Sequence, residues 1–255
     1  MSKETITIPF RFRGPPNSGN GGYVAGALAE QFRARASESA PADAAIEVTL
    51  RAPIPLDTTM DLERIDDDHL RMTLGETLIA EAERTTLNLD VPSPPGFAEA
   101  LAARNDSASF ILGINSLIPG GTGFHPVCAC CGADTAVGEG LQVFAAPVPG
   151  FDGVAAAWRP HAALADADGF LPPALVWTAL DCPGQFAYLA AGIRTGLLGR
   201  MRAVIRQRVR AETDLRVIGW RQEVDGKKHF AGTALFDAAG ALCAFSRQTW
   251  IGRMD

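Results

Sequence analysis

Three places in this chain bring together residue types that could do chemistry. The first is Asn20-Gly21-Gly22, set directly before Tyr23 and the apolar run that ends at Phe32. Asn20 suits a helix N-cap, and the paired glycines suit a helix start. The first N–H groups of a helix have no intrahelical partner and carry partial positive charge, so they can hold a negative group. The second is Asp181, inside the apolar segment ALVWTALDCPGQFAYLAA at 174–191. A carboxyl in that company is partly desolvated, which raises its pKa. It could act as a general base or as a nucleophile. The third is His125 with Cys128, Cys130 and Cys131, ligand-type side chains at short spacing.

Each has a plainer reading. Asp181 could be a helical carboxylate satisfied by a nearby donor, or a cap where Pro183 breaks the helix. Gly21 and Gly22 could serve close helix–sheet packing. A structural zinc normally has four ligands, often in two separated pairs. Here Cys182 and Cys243 stand singly. The three crowded cysteines are therefore expected to be buried strand thiols, with no metal and no cofactor. Cys182 beside Asp181 is a conceivable nucleophile, but no histidine is near it in sequence. A small core residue is the expectation.

Other chemistries lack their residues. There is no Gly-x-Ser-x-Gly elbow. The run NSGNGG at 17–22 is neither a P-loop nor a dinucleotide fingerprint. Arg194, Arg200, Arg202, Arg206, Arg208 and Arg210 form the densest basic stretch. It could attract phosphates, although a solvated strand face is the commoner outcome. Asp66-Asp67-Asp68 reads as a polar hairpin turn. Trp158, Trp177, Trp220 and Trp250 read as core or interface anchors.

The elements that must position these residues occur twice. In the first half a helix at 21–32 is followed by segments with strand alternation at 46–51, 60–65, 70–74 and 78–87. In the second half a helix at 174–191, which Pro183 and Gly184 could kink or shorten, is followed by strands at 201–210, 215–223, 228–236 and 242–251. Ile46, Val48 and Leu50 match Ile205, Gln207 and Val209 at one constant offset. Between the halves, 91–126 is rich in proline and glycine and reads as a linker with a short helix near 97–104. The predicted fold class is α+β, a double hotdog. Two tandem repeats of a long helix wrapped by an antiparallel sheet, 1–118 and 119–255, join edge to edge so that an edge strand of each is hidden.

The segment FRGPPNSGNGGYVAGALAE at 12–30 resembles the helix start of hotdog acyl-CoA thioesterases, and VWTALDCPGQFA at 176–187 resembles the same helix in thioesterases of the phenylacetyl-CoA type. The stretch CACCG at 128–132, with Gly138 to Leu141 beyond, resembles one that opens the first strand of many such domains. In that family an acid stands eight residues after the first glycine of the pair. Here that position in the first half is Ala29, and eight residues before Asp181 stands Pro173. The resemblance therefore implies one composite site, with Asn20, Gly21 and Gly22 from the first half and Asp181 from the second. The other site would set Ala29 against Pro173 and be dead. It further implies that the Gly22 amide stabilises the oxyanion of a thioester, that Asp181 activates water, and that Tyr23, Trp177 and Phe186 line an acyl pocket. Related hydratases carry a histidine five residues after the acid. Phe186 stands there, which disfavours hydration.

The composition fits this reading. The chain has 255 residues, 47% of them apolar and 20% charged, with a net charge of −6. Such a composition excludes disorder and collagen-like structure, and its acidic balance argues against nucleic acid as a partner. No apolar run is long enough for a membrane span, and the first residues do not read as a signal peptide, so a cytoplasmic home is expected. The expected partner is an acyl-CoA or another acyl thioester, with a homo-oligomer left open. The expected function is hydrolysis of that thioester. The alternatives are a noncatalytic acyl or CoA-binding hotdog module, and a scaffold whose sheet mediates assembly.

Overall fold

Alternating burial along two strands explains how the halves meet. In a computed structural model, which describes residues 4–34, 44–111 and 120–252, β2 (Ala45–Leu50) pairs antiparallel with β8 (Leu197–Ile205). Ile46 and Val48 turn one way into the main core, while Glu47 and Thr49 turn outward. Glu47 is nonetheless only 3% exposed, because Arg200 and Arg202 of β8 close over it.

The remaining strands extend from that seam. The first half contributes β1 (Glu4–Thr7), β3 (Thr59–Asp66), β4 (His69–Leu74) and β5 (Thr77–Thr85). The second contributes β6 (Ala146–Pro147), β7 (Val154–Trp158), β9 (Leu215–Asp225), β10 (Lys228–Phe236) and β11 (Leu242–Ile251). Among the described residues they form one sheet in the order β1-β3-β4-β5-β2-β8-β11-β10-β9-β7-β6. Outward from the seam the first half runs β2-β5-β4-β3-β1 and the second β8-β11-β10-β9-β7, with the two-residue β6 added at the far edge, so the repeat in sequence is a repeat in topology. Helices α1 (Gly21–Arg33) and α3 (Pro173–Ala190) pack against this sheet and each other. This is the double hotdog that the sequence predicts.

Between and beyond these elements some expectations hold and others need correction. The boundary between 118 and 119 lies outside the described residues. The short linker helix exists as α2 (Phe97–Ala102), and it packs on β7 and β9. There its Ala100 joins Ile218, Trp220 and Phe236 in a second apolar cluster. The stretch after Cys128 is not a strand. It is a run of turns, and the first strands of the second half start only at Ala146. Strand β8 starts four residues before 201 and ends at Ile205, so Gln207 and Val209, matched by offset, fall beyond it. Arg206, Arg208 and Arg210 therefore leave the ladder. Arg208 instead pairs with Asp166, and both it and Arg210 lie over the Phe170 ring.

Pro183 does not end α3. A proline inside a helix frees a carbonyl one turn back and bulges the backbone. Gly219 of β9 leaves room for that bulge, since a Cβ there would lie 2.2 Å from the Pro183 carbonyl oxygen. Gln248, fully buried on β11, donates to the Leu180 carbonyl in the same turn at 2.5 Å. Every residue from Ala174 to Tyr188 is buried, which suits the nearly uniform apolar sequence of α3.

Candidate active site

Small residues on α1 let the two helices touch. A Cβ on Gly22 would lie 2.6 Å from the Asp181 Cβ, and one on Gly26 would lie 2.7 Å from the Ala174 Cα. As α1 advances from Gly22 to Gly26, its partner on α3 recedes from Asp181 to Ala174, so the helices run antiparallel. Gly22 thus serves helix–helix contact, whereas Gly21 serves the helix–sheet packing expected, since a Cβ there would lie 2.8 Å from Leu198 of β8. The first turn of α1 is pressed against the Asp181 carboxyl.

Asn20 is the N-cap of α1, its Oδ1 accepting from the Tyr23 N–H at 2.8 Å. Its Nδ2 donates to Asp181 Oδ2 at 2.6 Å and lies 3.5 Å from the Cys128 sulfur. The Gly22 N–H donates to the same Oδ2 at 3.1 Å. Asp181 Oδ1 is buried and has no hydrogen-bond partner among the described residues. Burial pushes the Asp181 carboxyl up to about 7. The neighbouring Cys128 sulfur acts in the same direction, and the Gly22 N–H and Asn20 amide act against both.

These groups border a cavity of about 260 Å³. Gly19, Asn20 and Gly21 line one side, Asp181, Cys182 and Gln185 another, and His125 and Cys128 a third. Apolar wall comes from Leu50, Ile54, Leu198 and Trp250, with Arg51 also on the lining. The Gly21 N–H, in the first turn of α1, has no partner among the described residues.

The structure therefore brings Asn20, Gly21, Gly22 and Asp181 together from the two halves. The Gly22 amide, expected to face a substrate, instead holds Asp181, which leaves Gly21 as the unpartnered donor. Tyr23, Trp177 and Phe186 are not among the residues lining the cavity. Tyr23 stacks on Phe12 with ring centroids 3.7 Å apart. The Trp177 Cβ sits against Gly26, in the helix contact. Phe186 lies about 140° round the helix from Asp181, at about 100° per residue, and points into the core.

Two further residues of the site were legible only in part. Gln185 stands one turn after Asp181, hence on the same face of α3. Its Nε2 donates to Thr195 Oγ1 and to the Gly196 carbonyl, which leaves Oε1 to accept from His125 Nε2 at 2.9 Å. Burial holds His125 below its ordinary pKa and so favours the neutral ring. The i, i+4 spacing marks Gln185 in the sequence, whereas His125 stood out only beside the cysteines, and nothing local shows that it meets Gln185 from another segment.

The second composite position is not empty of acid. Glu30, one residue after Ala29, faces the first turn of α3, where burial raises its pKa and the nearby Ala174 N–H acts against that. That placement is the pseudo-symmetric counterpart of Gly22 with Asp181. Pro173 beside it has no N–H to offer, and Glu30 is not on the cavity wall.

No protein-family model matches this chain, and no curated protein matches it in sequence. Solved structures do resemble it. An acyl-CoA thioesterase II TesB2 from Mycobacterium marinum is 14% identical, with 98% of this chain and 93% of that one covered and a TM-score of 0.56. A hot dog fold protein of unknown function from Alicyclobacillus acidocaldarius is 11% identical, with 98% and 93% covered and a TM-score of 0.61. The dehydratase domain of PpsC from Mycobacterium tuberculosis, in complex with C12:1-CoA, is 15% identical, with 98% and 92% covered and a TM-score of 0.58. The likeness runs the length of the chain and is one of fold. Among the described residues no helix is long and apolar enough to cross a membrane.

Proposed function

We propose that the chain hydrolyses an acyl-CoA or related acyl thioester at the cavity between α1 and α3. The observation that carries this reading is the Asp181 carboxyl, with one oxygen fixed by Asn20 and Gly22 and the other unpartnered in a cavity-lining residue. The thioester carbonyl oxygen takes the Gly21 N–H, where the start of the helix also favours negative charge. One such donor contributes about 3 kcal/mol to the transition state. Asp181 Oδ1 takes a proton from water as the water oxygen bonds to the carbonyl carbon. The carbon–sulfur bond then breaks, and the CoA sulfur leaves with the proton held by Asp181. A carboxyl raised toward neutrality suits that exchange. Two of the similar solved structures support the substrate class, since one is an acyl-CoA thioesterase and the other was solved with an acyl-CoA.

A second reading has one observation in its favour. His125 shares the cavity with Asp181, so an acid–histidine pair is present although Phe186 fills the position the sequence suggested for it. Such a pair suits addition or loss of water on an acyl thioester. One assay separates the readings. A panel of saturated and 2-enoyl-CoAs is followed both by released thiol and by enoyl absorbance. The proposal expects thiol release. Loss of enoyl absorbance with the thioester intact would give the second reading. Binding without turnover would give the noncatalytic module. We further propose that the two hotdog units meet near 118–119 and that the protein is cytoplasmic, as the sequence suggests.

A further inference from the structure

The cavity adjoins a group of sulfurs that the hydrolysis does not use. Cys128 and Cys131 sit on one turn, closed by the Gly132 N–H donating to the Cys128 carbonyl at 2.8 Å. Gly132 is required there, since a Cβ would lie 2.6 Å from that carbonyl oxygen. The turn is anchored where Ala129 donates to the Arg13 carbonyl at 2.7 Å and accepts from Leu141 at 2.7 Å. Cys182 meets it from α3. All three side chains are buried, and their sulfurs lie within 4.8 Å of one another. The Cys128 and Cys182 sulfurs are 3.6 Å apart, although 54 residues separate them in the chain.

We propose that Cys128, Cys131 and Cys182 form a binding site for one thiophilic metal ion of the Zn²⁺ or Cu⁺ class. Metal–sulfur bonds of about 2.3 Å place thiolates roughly 3.8 Å apart in a tetrahedral site and about 4.0 Å apart in a trigonal one. The Cys128 and Cys182 sulfurs already stand 3.6 Å apart, and the Cys131 sulfur lies within 4.8 Å of both. A disulfide would use two of them and leave the convergence of the third without a reason. The Cys-x-x-Cys spacing of the turn is that of metal-binding cysteines. Cys130, also buried, stands outside this group of three. Cys128 and Cys182 border the cavity, which gives an ion a way in. The Asn20 Nδ2 beside Cys128 is the kind of outer donor that orients a thiolate ligand. Each thiol that binds gives its proton to solvent. The sequence argued against a metal here because it holds no second pair of ligands and Cys182 stands singly. The inference does not depend on the reaction proposed above.

The test uses the whole protein, reduced and stripped of metal, titrated with Cd²⁺. The expected result is a sulfur-to-metal charge-transfer band that saturates at one equivalent, together with a rise in Tm. Cys131→Ser should weaken uptake at least tenfold. Cys243→Ser, a buried cysteine on β11 outside the group, should leave it unchanged. Displacement of Cd²⁺ by Zn²⁺ or by Cu⁺ then tells the two ions apart. Wild-type protein that develops no band overturns the proposal whatever the variants do. So does a band that Cys131→Ser leaves intact.

Discussion

Asp181 is held on one oxygen and open on the other, and the donors that hold it come from a helix in the other half of the chain. That a carboxyl would be buried here was legible from the apolar residues on either side. That the Gly22 N–H would be its partner, rather than a substrate's, was not, because the contact depends on how closely the two helices approach. A surface residue gives an independent check on local electrostatics. His69 lies 2.8 Å from Asp66, and that hydrogen bond raises the histidine pKa, while the Asp68 N–H and then His69 lower that of Asp66. A raised histidine pKa stabilises the fold below the unfolded-state pKa, and the contribution disappears as pH rises through the folded value. Both groups are exposed, so the effect on stability is small. An NMR titration should place the His69 midpoint above that of an ordinary histidine, and Asp66→Asn should bring it back down.

At the scale of elements, the antiparallel contact of α1 with α3 sets the site. Gly26→Ala forces a methyl against the Ala174 backbone and should cost about 1–3 kcal/mol in urea denaturation. Gly22→Ala strikes the Asp181 side chain itself, so it should lower activity as well as stability. Equal activity loss in both variants would mean that the contact acts only through folding. Helix α1 was legible from Asn20, the paired glycines and the apolar spacing, and α3 from its long apolar run after Pro172 and Pro173. Pro183 argued for a break that does not occur, because the compensations, Gly219 and Gln248, come from strands far along the chain. The Cys128 segment misled in the opposite sense. Its resemblance to a strand-opening stretch gave way to turns, fixed by hydrogen bonds to Arg13 and Leu141 that no local pattern shows.

Across the whole molecule, the seam between β2 and β8 makes one sheet of two. Alternation along each strand revealed the repeat, and the need to hide an edge foretold the join. The offset match failed because β8 ends at Ile205, and β2 pairs with its Arg200–Ala203 stretch rather than with Gln207 and Val209. Glu47 is the seam's buried charge, bonded by Arg202 at 2.8 Å through Nε and by Arg200 at 3.1 Å. Arg202→Ala leaves that carboxylate under-satisfied and should destabilise the protein by about 2 kcal/mol, read as a lower urea midpoint. Glu47→Gln with Arg202→Ala should recover part of the loss, since the uncompensated charge is then gone.

The most direct measurement is kcat/KM for the best acyl-CoA substrate in wild type and in Asp181→Asn. Asparagine keeps an oxygen to accept from Asn20 and Gly22, so the variant should fold with a similar Tm and still bind substrate. The account expects kcat/KM to fall by about 10²–10⁴, the usual contribution of a positioned general base. A folded Asp181→Asn enzyme that keeps activity within a few-fold of wild type would contradict it.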